Sequence, residues 1–376
     1  MYLSKEEEKL LESDNPTIAK SMEILVALGE VYGADKLIEI KSAHISGISY
    51  QNIGDAGVEW LESLNAKVSV RTTVNPAGMD VFRWREMGID EDFYRKQMKI
   101  LRALERIGAE LSLTCTPYYY QSVKRNDHLA WAESNAVIYA NSVLAARTNR
   151  ESGISAIAAG IIGKTPCYGM HLKENRAPNV LVKVKGNSAA LIGYELGKIL
   201  KYDEVPLINL PRKFSNDELK HMGAAMAATG NKAIFHVVGQ TPEWNEFEIP
   251  TEKIELDVGE IEKDCEPDLI ALGCPHLSAE ELLRIEKLLR NKKVRRELWL
   301  FTSRKLAKEL EKVVRCIEKS GAKVFCDTCM VVSPATENFE CVMVNSGKAL
   351  EYLPKLRKVR AVFGSLEECV EAALIL

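Results

Sequence analysis

No stretch of this 376-residue chain is apolar for long enough to cross a bilayer. The most apolar segment, residues 154–162, falls far short of the ~20 residues a spanning helix needs and is interrupted by Gly160. Residues 1–14 are acidic and Lys-containing with no apolar core behind them, so neither a secretory signal nor a membrane anchor is expected, and the protein is expected in the cytoplasm. Long basic runs are also missing. Lys and Arg total 50 against 53 Asp and Glu, a net charge of −3 that offers no field to neutralise a nucleic-acid backbone. Neither nucleic acid nor membrane is therefore expected as a partner. Glutamine occurs only at Gln51, Gln97, Gln121 and Gln240 while Lys and Glu are plentiful, a bias shared with proteins from hot environments. There is no short internal repeat and no low-complexity tract, which excludes a solenoid.

What is present is the composition of a packed globule, with 46% hydrophobic and 27% charged residues, in a length that predicts two or three domains. The opening third mixes helices with short strands. Residues 16–32 have helical apolar spacing, KVSVRTTV (67–74) is half-alternating, and the amphipathic stretch 92–107 leads through Gly108 into ELSLT (110–114), read as a strand. A further helix is predicted over 135–147. From Asn179 the alternation is regular: strand NVLVKVK, helix 188–200, strand VPLINL, helix 215–228, strand KAIFHVV. After an acidic, Pro-punctuated connection (240–267) come strand DLIALG, helix 278–290, strand ELWLF, helix 304–319, and strands AKVFC and ECVMV. The predicted units are an N-terminal α/β domain (1–178), a βαβαβ domain (179–250) and a C-terminal α/β domain (251–376).

In open parallel sheets, ligands gather beyond the C-terminal ends of strands. Three of the nine cysteines fall there: Cys115 in T-C-T-P-Y, Cys274 in G-C-P-H and Cys329 in C-D-T-C-M. A single cysteine is more often a small buried hydrophobe, and Cys167, Cys265, Cys316, Cys341 and Cys369 are read that way. An odd thiol count in a reducing compartment argues against a disulfide set. Cys326 and Cys329 form C-x-x-C, but zinc would need a second nearby pair, and the pair does not open a helix as a thioredoxin-type site does. Other strand-end loops are polar. Residues 44–49, with Gly47, Ile48 and Ser49, can form an anion-binding nest, and Asn75-Pro76 ends another strand. Glu133-Ser134 opens a helix, where a hydroxyl can simply cap it, and Asn345-Ser346-Gly347-Lys348 can present freed N–H groups and a lysine to an anion. Each loop taken alone is equally a cap or a tight turn.

Taken together, T-C-T-P-Y, the run W-A-E-S-N-A-V-I-Y-A-N-S-V-L-A-A-R-T-N-R-E (131–151), G-x-T-P-E (239–243), A-L-G-C-P-H and C-D-T-C-M-V-V-S-P resemble the aconitase X family along nearly the whole chain. The resemblance implies an α/β protein of three aconitase-like layers with mainly parallel sheets. It also implies an iron–sulfur cluster on Cys115, Cys274 and Cys329. Three thiolates leave one corner of a [4Fe–4S] cluster without a protein ligand, open to a substrate oxygen, and that iron is readily lost in air to give [3Fe–4S]. By the same resemblance Gly47, Ile48, Ser49, Asn75 and Pro76 would cradle substrate, with Glu133, Ser134 and Lys348 completing the site. The base of aconitase-like enzymes lies on a small swivelling domain, and no such domain is found before Leu376. The chain therefore resembles the large half of the split form, a heterodimer with a small swivelling subunit. That form is associated with dehydration of (R)-5-phosphomevalonate to trans-anhydromevalonate 5-phosphate in isoprenoid synthesis. The fused form, a cis-3-hydroxy-L-proline dehydratase, is the alternative, along with other hydroxy-acid dehydratases. A regulatory iron–sulfur RNA-binding protein is the non-enzymatic one, disfavoured by the charge balance.

Overall fold

The computed structural model describes residues 1–375. Three all-parallel sheets succeed one another along the chain. The first has the order Arg71–Val74, Ser42–Ile45, Leu129–Trp131, its central strand wholly buried. Helices Pro16–Val31 and Gly153–Ile162 cover one face, while Tyr50–Ser63 and Glu91–Arg106 pack elsewhere on this unit. An antiparallel pair, Leu37–Glu39 with Lys164–Pro166, forms a separate two-stranded sheet.

The second sheet runs His236–Val237, Pro206–Asn209, Val180–Lys185, Lys253–Asp257. Its helices Ala189–Ile199 and Asn216–Gly230 approach so closely that a Cβ on Gly193 would overlap the Met222 carbonyl oxygen, and one on Gly230 the Gly197 carbonyl oxygen. The expected boundary at residue 250 cuts this unit: Lys253–Asp257 pairs in parallel with Val180–Lys185 as its edge strand. Its burial alternates between exposed and half-buried, so it lacks the apolar run of a central strand.

The third sheet has the order Lys323–Cys326, Glu297–Thr302, Leu269–Leu272, Cys341–Val344, Arg360–Phe363. Period-two alternation sorts its side chains between two cores. Ile270, Leu272, Leu298, Leu300 and Val324 face helices Ala279–Leu289, Glu311–Lys319 and Leu366–Leu374. Leu269, Ala271, Trp299, Phe301 and Phe325 face a cluster that includes Met79, Trp84, Met87 and Ile89 from the first unit. That shared core presses the first and third units together. Serine with glutamate three residues later caps Asn216–Gly230, Ala279–Leu289 and Leu366–Leu374, the reciprocal box that fixes where each helix begins.

Local expectations fail in four places. ELSLT is not a strand: Glu110 makes an isolated bridge to Thr73, and Leu113 has φ 44°, so the segment kinks before Cys115. The helix expected over 304–319 breaks at Leu310 into Arg304–Glu309 and Glu311–Lys319. Cys265 and Cys341 are joined by a disulfide, Cα atoms 6.3 Å apart, rather than packing as separate thiols. Cys316 is exposed and Cys167 half-buried, so neither is the buried hydrophobe anticipated. Among the described residues no helix is long and apolar enough to cross a membrane.

Candidate metal centre and the polar site beside it

Cys274 leaves the C-terminal end of strand Leu269–Leu272 through Gly273, whose φ of 112° and close approach to the Phe301 carbonyl admit no side chain. Cys329 lies three residues beyond the strand Lys323–Cys326, after a left-handed Asp327 (φ 65°). Cys115 comes from the first unit, in a segment anchored when Thr114 N–H donates to the Val74 carbonyl at 3.2 Å and Asn135 Nδ2 donates to the Cys115 carbonyl at 2.8 Å. All three thiols are buried. Cys274 and Cys329 lie near enough to act on each other's ionisation, and Cys115 lies near enough for its charge to act on Cys274 and for the charge of Cys329 to act on it. Cys326 does not join them, since its charged neighbours are Arg304, Asp327, Asp80 and Arg83. Among the described residues no three His, Cys, Asp or Glu side chains group so as to share one metal ion. A cluster whose thiolates bind three different irons does not require that.

Burial pushes the Cys115 thiol up to about 12, helped by the charges of Glu133 and Cys329 and opposed by Lys348 and the His276 N–H. Cys274 is raised by its interaction with Cys329 and by burial. Cys329 is lowered by that interaction first, against burial, and by the N–H groups of Val332 and Val331. The three thiols are acted on by one cation, Lys348, and by backbone N–H groups at two of them. Lys348 and these N–H groups favour the thiolate forms that burial disfavours. Thr328 Oγ1, beside Cys329, is buried with no hydrogen-bond partner among the described residues, which leaves it a bond to offer. The donor set therefore fits an iron–sulfur cluster.

Lys348 enters on the short helix Gly347–Tyr352, whose Gly347 is pressed against helix Ala189–Ile199: a Cβ there would lie 2.7 Å from the Ala190 carbonyl oxygen. Its ammonium pairs with Glu133 and lies 3.2 Å from Ser134 Oγ. Glu133, not Ser134, is the cap of helix Ser134–Ser142, accepting from Asn135 N–H at 3.3 Å. Its second oxygen accepts from Asn75 Nδ2 at 2.8 Å. Burial opposes ionisation of Glu133, but Lys348, the Asn135 N–H and Asn75 together hold it below the usual carboxylate range. Burial likewise works against the Lys348 charge, and the Glu133 carboxylate overcomes it.

The two anion-cradle loops reach the same place. Ser49 Oγ donates to the Val332 carbonyl at 3.3 Å, and Ala77 N–H, next to buried Pro76, donates to the Asp327 carbonyl at 2.7 Å. Both therefore close on the segment that carries Cys329. Gly47 is exposed with φ 73° and open space at its Cβ position, whereas Ile48 is buried in the first unit's core. Sequence reasoning missed His44, whose Nε2 lies 3.3 Å from Asn75 Oδ1 and whose Nδ1 lies 2.8 Å from Thr73 Oγ1. It also missed Arg304, which bridges Asp80 and Asp327 beneath the C-x-x-C turn, and His276. Burial pushes both histidines down to about 4, so each is neutral. The H after G-C-P was the one local signal for His276.

Family models match the chain end to end: the aconitase X first domain over residues 1–174, the second over 178–266 and the third over 267–375. The chain belongs to the aconitase X family. The crystal structure of Thermococcus kodakaraensis aconitase X in its holo form superposes with a TM-score of 0.91 at 41% identity, covering 99% of this chain and all of that one. This agrees with the expected layered α/β fold. The Methanosarcina mazei phosphomevalonate dehydratase large subunit is 49% identical over 99% of this chain and 97% of its own length. Pseudomonas aeruginosa cis-3-hydroxy-L-proline dehydratase is more distant, 32% identical over 94% of this chain but 66% of its own length.

Proposed function

We propose that this aconitase X chain is the large subunit of a phosphomevalonate dehydratase, a hydro-lyase of the cytoplasm that acts as a heterodimer with a small swivelling subunit. The reaction removes water from (R)-5-phosphomevalonate to give trans-anhydromevalonate 5-phosphate. The observation that carries the reading is that the Cys115 sulfur accepts a backbone N–H from the loop after Cys274, at 3.2 Å, while all three buried thiols lie within electrostatic reach of the buried Lys348–Glu133 pair or its lysine. The near full-length match to relatives named as large subunits supports the choice of substrate and the need for a partner.

Cys115, Cys274 and Cys329 would hold a [4Fe–4S] cluster with one iron free of protein ligands, lost in air to [3Fe–4S], and when bound it supplies a Lewis acid for the leaving hydroxyl. Lys348 is the counter-charge for the substrate's phosphate or carboxylate, and it is kept protonated in the interior by Glu133. Asn75 and Ser134 flank that pair, while Ser49 and the backbone at Gly47 and Ile48, with Pro76 shaping the opposite loop, line the approach. Glu133 orients: it fixes Asn75 and Lys348 at once. The proton acceptor comes from the small subunit.

The test is anaerobic reconstitution of this chain with its small subunit and assay on phosphomevalonate and on cis-3-hydroxy-L-proline. Turnover of phosphomevalonate only by the pair, with neither subunit active alone, is expected. Turnover of hydroxyproline and not phosphomevalonate would overturn the substrate, and activity of the large subunit alone would overturn the division of labour.

A further inference from the structure

One buried side chain touches all three cysteine-bearing segments. His276, 1% exposed, lies two residues after Cys274. Its backbone N–H donates to Cys115 Sγ at 3.2 Å. Its ring Nδ1 lies 3.0 Å from Thr114 Oγ1, and its Nε2 lies 2.8 Å from the carbonyl oxygen of Thr328, the neighbour of Cys329. A carbonyl only accepts, so Nε2 carries the proton and Nδ1 must accept from the Thr114 hydroxyl. The surroundings agree with that tautomer. Thr114 Oγ1, its hydrogen directed at the ring, accepts from Thr116 N–H at 3.2 Å and has Thr116 Oγ1 at 3.0 Å as a second donor. The second unit reaches the same residue, with Lys220 Nζ 3.5 Å from the His276 carbonyl and itself held by Asp217 at 2.9 Å and by Glu281. Thr114 belongs to the first unit, Lys220 to the second, and His276 and Thr328 to the third.

We propose that His276 is a positioning residue that locks the three cysteine segments in register, so that the thiols already converge before a cluster is inserted. The proposal rests on the cluster reading for its purpose, but its geometry stands in the metal-free chain. A buried imidazole with both nitrogens engaged has no slack. Losing either ring bond leaves a buried partner unsatisfied, and the loop that gave it is free to move.

The experiment uses three variants of the full-length chain: His276→Leu, which removes both ring bonds; Thr114→Val, nearly isosteric, which removes one; and His276→Gln, which keeps a donor for the Thr328 carbonyl. In the reduced, metal-free chain, alkylation of Cys115 is followed against exposed Cys316 as internal standard. The Cys115 to Cys316 ratio should rise about tenfold in His276→Leu, a factor equal to about 1.4 kcal/mol, the scale of one or two hydrogen bonds. It should rise less in the other two. After anaerobic loading with iron and sulfide, iron loss to a chelator should follow the same order. An unchanged ratio in both His276→Leu and Thr114→Val overturns the proposal. So does a ratio that merely tracks each variant's melting temperature. If the unaltered chain takes up no cluster, the cluster reading falls, while the alkylation ratios still decide the role of His276.

Discussion

Replacing Lys348 by Met tests the electrostatics of the site directly. The side chain keeps its length and loses its charge, and Glu133 is left in the interior with Asn75 Nδ2 and the Asn135 N–H as donors. Removing one partner of a buried ion pair costs about 3–5 kcal/mol, and the two remaining bonds place this case toward the lower figure, about 3 kcal/mol at neutral pH. The pH dependence carries the sharper signature. In the unaltered chain Glu133 is held below its ordinary value, so its contribution to stability is present above the unfolded value and fades as pH falls through the folded one. Without Lys348, burial is no longer offset and the folded value rises above the unfolded one. The penalty is then full above that raised value and shrinks by up to about 1.4 kcal/mol per pH unit below it, as Glu133 takes up a proton. The assay is urea unfolding of the metal-free chain at pH 5 and pH 8, read by circular dichroism and tryptophan fluorescence with coincident transitions required. The gap between Lys348→Met and the unaltered chain should be smaller at pH 5. Adding Glu133→Gln to Lys348→Met should recover part of the loss at pH 8. A gap that is absent, or equal at both pH values, would refute the claim that the pair is a buried charge pair.

Two further outcomes follow from the geometry. Cys115→Ser, Cys274→Ser and Cys329→Ser should each bleach the visible colour of the loaded chain and abolish turnover, whereas Cys316→Ser and Cys326→Ser should keep the colour; bleaching by Cys326→Ser with colour retained in Cys329→Ser would exchange the two members of the C-x-x-C pair. Gly193→Ala should destabilise the chain by about 1–3 kcal/mol in the same urea assay, because the added methyl forces apart the helix pair Ala189–Ile199 and Asn216–Gly230; an unchanged midpoint would show that the pair can open without cost.

What the sequence disclosed, and what it hid, divides by the range of the forces involved. Elements whose apolar pattern is set by their own neighbours were legible: strands buried on both faces between amphipathic helices, and Cys274 and Cys329 just beyond the ends of two of them. Lys253–Asp257 was not, because an acidic, half-exposed edge strand becomes a strand only through the partner that Val180–Lys185 provides. ELSLT read as a strand on its own propensities, yet only Glu110 found a ladder position beside Thr73. Leu310 was hidden because the apolar spacing of 304–319 runs through the break. The disulfide joins residues 76 apart, a pairing that no local pattern announces. The loops at Gly47, Asn75, Glu133 and Lys348 were recognisable as polar punctuation, but that Asn75, Glu133 and Lys348 form one bonded chain is a fact of tertiary structure. His44 and Arg304 carried no signal of their own, since each works through residues 23 or more positions away.

The shared core of Met79, Trp84, Met87 and Ile89 against the third sheet also governs biogenesis. Cys115 leaves the ribosome long before Cys274 and Cys329, and the whole second unit is made in between. A growing polypeptide can complete that unit while its lone early thiol still has no companions, and only when the late sheet docks on the early one do the other two arrive. A cluster on these three cysteines, as proposed, would find its full set of thiols only after that docking.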